Sequence, residues 1–361
     1  MKIRIQSLAF ALVAALALLA AGCSHSPHQS AQHAAVHAAH HPSKDLVMEE
    51  FMVPGADPGV QLYVRNKRPR NLSTFKPDNV VLFVHGATYP AETAFDLQLE
   101  GVSWMDYIAA RGYDVYMVDV RGYGKSSRPK EMDEPAAANK PIVNTDTAAR
   151  DYGAAVDFIR ARRSVDKINV LGWSWGTAIT ALYTSRNNAK VNRLVLYAPV
   201  WLRQGRSLTD SGGTLGAYRT VTIDAARKRQ ETGVDPAKNP QPAGWFDIWA
   251  KETFASDPLG AKATPQFVRA PNGVVQDGRD YWNANKPMYS PADIRVPTLL
   301  ILAEGDADTP LYMAQTLFPQ LVNAAPKRMV VIGEGTHSVV MEKNRMQLFR
   351  EVQMFFDEAR N

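Results

Sequence analysis

Six short apolar runs constrain this chain more than any other feature. They fall at residues 79–84 (NVVLFV), 113–118 (YDVYMV), 167–171 (KINVL), 193–197 (RLVLY), 297–302 (PTLLIL) and 328–332 (RMVVI). Each is four to eight residues long, rich in β-branched side chains, and lacks the in-out alternation of a strand with one wet face. Strands of this kind are buried on both sides. Helical patterns separate them, at residues 102–110, 146–162, 176–185, 311–322 and 341–358. The second of these places Ala149, Tyr152, Val156 and Ile159 on one face at helical spacing. Buried runs alternating with helices predict an α/β fold, a doubly wound and mostly parallel sheet covered on both faces.

The alternation lapses between about residues 200 and 292, where no strong strand signal occurs. That stretch holds Trp201, Trp245, Trp249 and Trp282, four of the seven tryptophans, with many Gly, Pro and Asn residues. It reads as an inserted, mainly helical cap folded over the carboxyl edge of the sheet. The core is then residues 46–199 together with 293–361.

The first residues stand apart from this pattern. Lys2 and Arg4 precede an apolar Ala/Leu-rich run at residues 8–21, which ends in Leu-Ala-Ala-Gly-Cys. A run this short with these flanks predicts a secretory signal peptide over residues 1–22 rather than a spanning helix. The single cysteine, Cys23, resembles the lipidated first residue of bacterial lipoproteins, although Ala20 stands where Leu is commonest. That resemblance implies an exported protein, periplasmic or in the cell envelope, anchored to a membrane by lipid. With one cysteine, the fold has no internal disulfide. Residues 23–45 are rich in Ser, Ala, Gln, Pro and His and predict a flexible tether. His33, His37 and His40 would share a face if this segment turned helical, a weak pointer to metal, but a solvated linker is the simpler reading.

The formal net charge of +5 comes from scattered basic residues without a stripe, which argues against nucleic acid as a partner. No feature calls for a cofactor or a metal in the core, and the expected partner is a small-molecule ester or amide substrate.

The chemistry centres on Gly172-Trp173-Ser174-Trp175-Gly176. It follows the apolar run INVL and opens an Ala/Thr-rich helical pattern, the strand–turn–helix context of a nucleophile elbow. Small glycines permit the sharp turn, and the helix start places amides where they stabilise an anion. A serine hydroxyl needs a base. Beyond residue 45 only His85 and His337 are available. His337 follows the last strand, so it falls at the same sheet edge as the elbow, where ligands bind in open α/β sheets. The imidazole in turn needs a carboxylate to hold its tautomer. The run TLLILA leads into Glu304-Gly305-Asp306-Ala307-Asp308-Thr309-Pro310, in which Asp306 is the expected acid, Asp308 the reserve, and Glu304 points elsewhere. An oxyanion needs two backbone donors: the N–H of Trp175, after the serine, and that of Ala87, in the loop after the first core strand. His85 then braces that loop. Trp173, with cap residues Trp201 and Trp245, either lines an apolar substrate pocket or belongs to the cap's own small core.

These residues together resemble the α/β-hydrolase superfamily over about residues 79–358. The features that match are His85-Gly86, the segment from Asp119 to Ser126 (DVRGYGKS, similar to the frequent D-x-R-G-x-G-x-S), the elbow, the acid turn and the late histidine. The family's acid turn commonly reads G-x-x-D-x-x-x-P. Here Ala303 replaces the glycine, while Asp306 and Pro310 keep their spacing. The resemblance implies the α/β-hydrolase fold and the order Ser, Asp, His along the chain. Ser174 argues against the dehalogenases and epoxide hydrolases of this fold, which carry Asp at the elbow. Trp175 echoes the proline-iminopeptidase-like enzymes. Their usual His-Gly-Gly-Pro-Gly loop is here His85-Gly86-Ala87-Thr88-Tyr89, which favours an esterase-like enzyme. The expected activity is hydrolysis of a small carboxylic ester or thioester through an acyl-enzyme on Ser174. The alternatives are an aminopeptidase or amidase of the proline-iminopeptidase type, and a non-catalytic ligand-binding lipoprotein.

Overall fold

A computed structural model describes residues 45–235 and 238–358. The leader at 1–22, Cys23 and all but the last residue of the tether lie outside the described residues.

Eight strands form the main sheet. In chain order they begin with β1 (Leu46–Pro54), β2 (Gln61–Pro69), β3 (Val80–Val84) and β4 (Asp114–Val118). β5 (Ile168–Trp173) and β6 (Val191–Tyr197) follow. β7 (Tyr218–Thr222) and β8 (Phe267–Pro271) make a separate antiparallel pair, and β9 (Thr298–Ala303) and β10 (Lys327–Ile332) complete the main sheet. Its spatial order is β1-β2-β4-β3-β5-β6-β9-β10. All neighbours are parallel except β1–β2 and β2–β4. The six runs read from the sequence are β3, β4, β5, β6, β9 and β10, so the mostly parallel α/β sheet is as expected.

Burial on both faces is visible in the strands' own alternation. Val80, Leu82 and Val84 of β3 pack in one core cluster with Val170, Leu194, Leu300 and Leu302. Val81 and Phe83 pack in a second, with Leu171, Val195, Leu299 and Ile301. Successive side chains point to opposite faces, so a strand with two covered faces needs an apolar residue at every position.

Helices cover both faces. The first two, α1 (Ala91–Phe95) and α2 (Trp104–Ala109), follow β3. The longest, α3 (Thr145–Arg163), buries Ala148, Ala149, Tyr152, Ala155, Val156 and Ile159. Asn144 caps it by accepting from the Thr147 N–H at 2.9 Å. α4 (Trp175–Arg186) starts at the elbow and is buried throughout its first ten residues. The chain ends with α9 (Arg345–Asp357) laying Leu348, Phe349, Val352 and Phe356 on the second cluster, after α8 (Leu311–Leu317) has joined β9 to β10.

Between β6 and β9 lie β7, α5 (Ile223–Gln230), α6 (Trp245–Ala255), β8 and α7 (Gly273–Asp277). The β7–β8 pair lies where the sequence carries no strong strand signal. Its sequences, YRTVT and FVRAP, carry arginines that bury only by finding distant partners: Arg269 forks onto Asp257, with Nη2 2.9 Å from Oδ1. β1 and β2 also went unread. Arg65 and Lys67 break up the apolar signal of β2 and are held by Asp96 at 2.7 Å and 2.6 Å.

Candidate active site

β5 ends at Trp173, and Ser174 stands between it and α4 with φ 56° and ψ −121°. This is a strained, left-handed-φ conformation for a serine, of the kind kept at functional sites when the surroundings over-determine it. Two glycines determine it. A Cβ on Gly172 would meet the Gly176 carbonyl oxygen at 2.1 Å, and one on Gly176 would meet the Val84 and His85 carbonyls at 2.6 Å and 2.7 Å. The Ser174 N–H donates to the Tyr197 carbonyl at 2.9 Å, tying the turn to β6.

His337 follows β10 and lies beside Trp173, their ring centres 5.6 Å apart. Two donors fix its backbone carbonyl: Trp173 Nε1 at 3.2 Å and the Tyr197 hydroxyl at 3.0 Å. Its Nδ1 faces Asp306, 2.8 Å from Oδ2 and 3.0 Å from Oδ1. Asp306 is itself oriented by Thr309, whose N–H donates to Oδ1 at 2.7 Å and whose hydroxyl donates to Oδ2 at 2.8 Å. With Nδ1–H donating to the carboxylate, the Nε2 lone pair is free to accept a proton. Burial lowers the basicity of His337, but Asp306 and Asp308 more than offset this and raise its pKa above the ordinary 6.5. Ser174 Oγ makes no hydrogen bond with the ring among the described residues; such contacts often tighten only with substrate in place.

The reserve acid, Asp308, is engaged elsewhere. Its carboxylate receives Arg229 of α5, Nη2 to Oδ1 at 2.9 Å, and this pairing keeps Asp308 acidic despite its burial. Glu304 accepts from the Glu334 N–H at 2.7 Å, away from the imidazole.

His85 is fully buried and braces the loop after β3. Its Nδ1–H donates to the Gly86 carbonyl at 2.7 Å, and its Nε2 accepts from the Val120 N–H at 3.2 Å. In a trans peptide the carbonyl and the following N–H point in opposite directions. Holding the Gly86 oxygen therefore aims the Ala87 N–H. The Ala87 carbonyl is held as well, by the Tyr123 hydroxyl at 2.8 Å and Arg219 Nη2 at 2.7 Å. Neither the Ala87 N–H nor the Trp175 N–H donates to a backbone carbonyl among the described residues. Gly86 approaches the serine closely: a Cβ there would lie 3.6 Å from Ser174 Oγ.

Two cavities meet at Ser174. One is lined by Trp173, His337, Ser338, Met341, Tyr89 and Thr88, among others. The other is lined by Trp175, Val200, Arg203, Val274 and Trp282, among others. Ala87, Ser174, Arg229 and Asp308 border both. Trp173 thus lines a cavity, but Trp201 and Trp245 line neither. Trp201 packs against Tyr289, ring centres 5.2 Å apart, and Trp245 lies under the Arg345 guanidinium. Thr309, Tyr123, Arg203, Arg219 and Arg229 were not singled out from sequence. Thr309 and Tyr123 left local traces, in Asp308-Thr309-Pro310 just after the acid and within the DVRGYGKS segment. No group of three or more His, Cys, Asp or Glu side chains among the described residues could hold a metal.

A sequence model of the alpha/beta hydrolase fold matches residues 79–344. A curated relative is the poly(3-hydroxyalkanoate) polymerase subunit PhaC of Haloarcula marismortui, 29% identical over 140 residues. That match spans 39% of this chain and only 26% of the relative. Among solved structures, a serine hydrolase involved in carbazole degradation (CarC) superposes with a TM-score of 0.59 at 16% identity, covering 86% of this chain and 98% of its own. The 2-hydroxy-6-oxo-6-phenylhexa-2,4-dienoate hydrolase of Rhodococcus sp. strain RHA1 superposes with a TM-score of 0.58 at 15% identity, covering 87% and 99%. At such identities the likeness concerns the fold.

Proposed function

This chain belongs to the alpha/beta hydrolase fold family, and from that premise we propose that it is a serine hydrolase of small carboxylic esters or thioesters, with Ser174 as nucleophile. The observation that carries the reading is a strained serine at a strand–helix turn, on the wall of a cavity it shares with a carboxylate-oriented imidazole.

In the proposed reaction His337 Nε2 takes the proton from Ser174 Oγ as it attacks the substrate carbonyl. Asp306 keeps the proton of His337 on Nδ1 and stabilises the imidazolium that forms. The Ala87 and Trp175 N–H groups receive the oxyanion; each such donor contributes about 10²- to 10³-fold in rate. His337 then returns its proton to the leaving oxygen or sulfur, and the C–O or C–S bond breaks to leave Ser174 acylated. Water attacks the acyl-enzyme with His337 as base, releasing the acid and restoring the serine.

Turnover of 4-nitrophenyl esters, acyl thioesters and aminoacyl-arylamides by the wild type and Ser174→Ala tests this. Ester or thioester turnover lost in Ser174→Ala supports the reading; a preference for arylamides moves it to the aminopeptidase type; turnover unaffected in Ser174→Ala overturns it. For location, Lys2, Arg4 and the apolar run to Cys23 support export and lipid anchoring in a bacterial envelope. Loss of membrane fractionation in Cys23→Ala tests that part.

A further inference from the structure

Two guanidinium groups, Arg229 and Arg203, line the cavities at the serine, and a third, Arg219, reaches the Ala87–Thr88 loop beside them. Arg229 is spent on Asp308 and on the Thr88 hydroxyl, 3.1 Å from Nη1. Arg219 is spent on carbonyls, with Ala87 at 2.7 Å and Pro271 at 2.8 Å, and on Thr88. Arg203 differs. Nη1 donates to the Asp308 backbone carbonyl at 2.5 Å, while Nε is buried with no hydrogen-bond partner. No carboxylate among the described residues pairs with it. Asp306 serves His337, Asp308 serves Arg229, and Asp210 on the same wall is held by Arg279 at 2.6 Å. Burial pushes the guanidinium below its usual basicity, because the nearby charges compensate only in part. A half-buried cation whose buried Nε has no partner is costly unless an anion arrives to meet it.

Arg203 lines the cavity that holds Ser174, Ala87 and Trp175 but not His337. The leaving group has to reach the His337 proton, so it belongs in the other cavity, where the imidazole is exposed. The cavity of Arg203 is left for the acyl chain. Its apolar part, from Val200, Val274, Val275 and Trp282, suits methylene groups between the carbonyl and a distal charge.

We propose that the acyl group transferred to Ser174 carries a distal carboxylate, and that Arg203 is the residue that binds it. This rests on the serine-hydrolase reading and adds the substrate class: half-esters or half-thioesters of dicarboxylic acids.

The test compares 4-nitrophenyl half-esters of succinic, glutaric and adipic acid with neutral 4-nitrophenyl esters of equal chain length. The readout is the ratio of kcat/KM, charged over neutral, within each protein, so a poorly folded variant does not distort it. The wild type should favour the best half-ester by roughly tenfold to a hundredfold, the size of a charge-assisted hydrogen bond. Arg203→Leu should bring the ratio near one or below, and Arg203→Lys should restore part of it. A wild-type ratio at or below one for every length, or a ratio unchanged in Arg203→Leu, overturns the proposal while leaving the hydrolase reading standing. Absence of turnover of both series by the wild type overturns both.

Discussion

Asp306 Oδ2 lies 2.8 Å from His337 Nδ1, while Asp308, two residues on, turns its carboxylate to Arg229. Two carboxylates on one loop thus have different tasks, and substitution separates them. Asp306→Asn should lower kcat by about 10⁴-fold, because an amide no longer holds the neutral imidazole in the productive tautomer. Asp308→Asn should cost far less in kcat. Steady-state kinetics on a model ester checks the pair; a larger loss in Asp308→Asn would reverse the assignment.

The pH profile carries the same distinction. The base proposed here, His337, could act only when neutral, and its neighbours raise its pKa above the ordinary 6.5. Activity should therefore fall as pH is lowered, with the midpoint of the acid limb above 6.5. Asp308 contributes to that elevation, so Asp308→Asn should move the limb to lower pH. A limb that stays in place in this variant contradicts the electrostatic picture.

His85 should act through the loop it braces. Removing its ring frees the Gly86 carbonyl and lets the Ala87 N–H lose its aim. His85→Phe should lower kcat by about 10²-fold, the effect of one oxyanion donor, with KM little changed. It should also destabilise the fold by about 1–3 kcal/mol, because the Val120 N–H loses its buried partner. Kinetics together with urea unfolding separates the two effects.

Gly172 should be intolerant of any side chain. An added Cβ would sit 2.1 Å from the Gly176 carbonyl, a backbone atom that cannot swing aside. Gly172→Ala should cost about 3 kcal/mol or more, at the upper end of overpacking penalties. Thermal unfolding measures this; a near-wild-type Tm would mean the elbow is looser than its geometry implies.

These sites differ in how legible they were in the sequence, for physical reasons. The elbow and Asp306 each follow a strand buried on both faces, and such strands announce themselves as unbroken apolar runs. His337 follows β10, an edge strand that is only half-buried, against the expectation of two covered faces, and its run RMVVI was legible by its β-branched residues alone. β2 hid because Arg65 and Lys67 lie inside it, held by Asp96, which is far along the chain. β7 hid for a related reason: Arg219 lies within it and finds its partners on β8 and on the loop after β3. Arginines neutralised across the fold leave no local pattern. The same holds for the cavities. Trp201 and Trp245 looked like pocket residues by type, but packing buried them against Tyr289 and Arg345.

The central claim concerns the reactivity of one hydroxyl. Incubating the protein with a fluorophosphonate and mapping the adduct by peptide mass spectrometry tests it directly. One phosphonyl group should appear on the peptide containing Ser174, in step with loss of ester hydrolysis, and none in Ser174→Ala. An unlabelled Ser174 in folded protein, or esterase activity that survives complete labelling, would contradict the account.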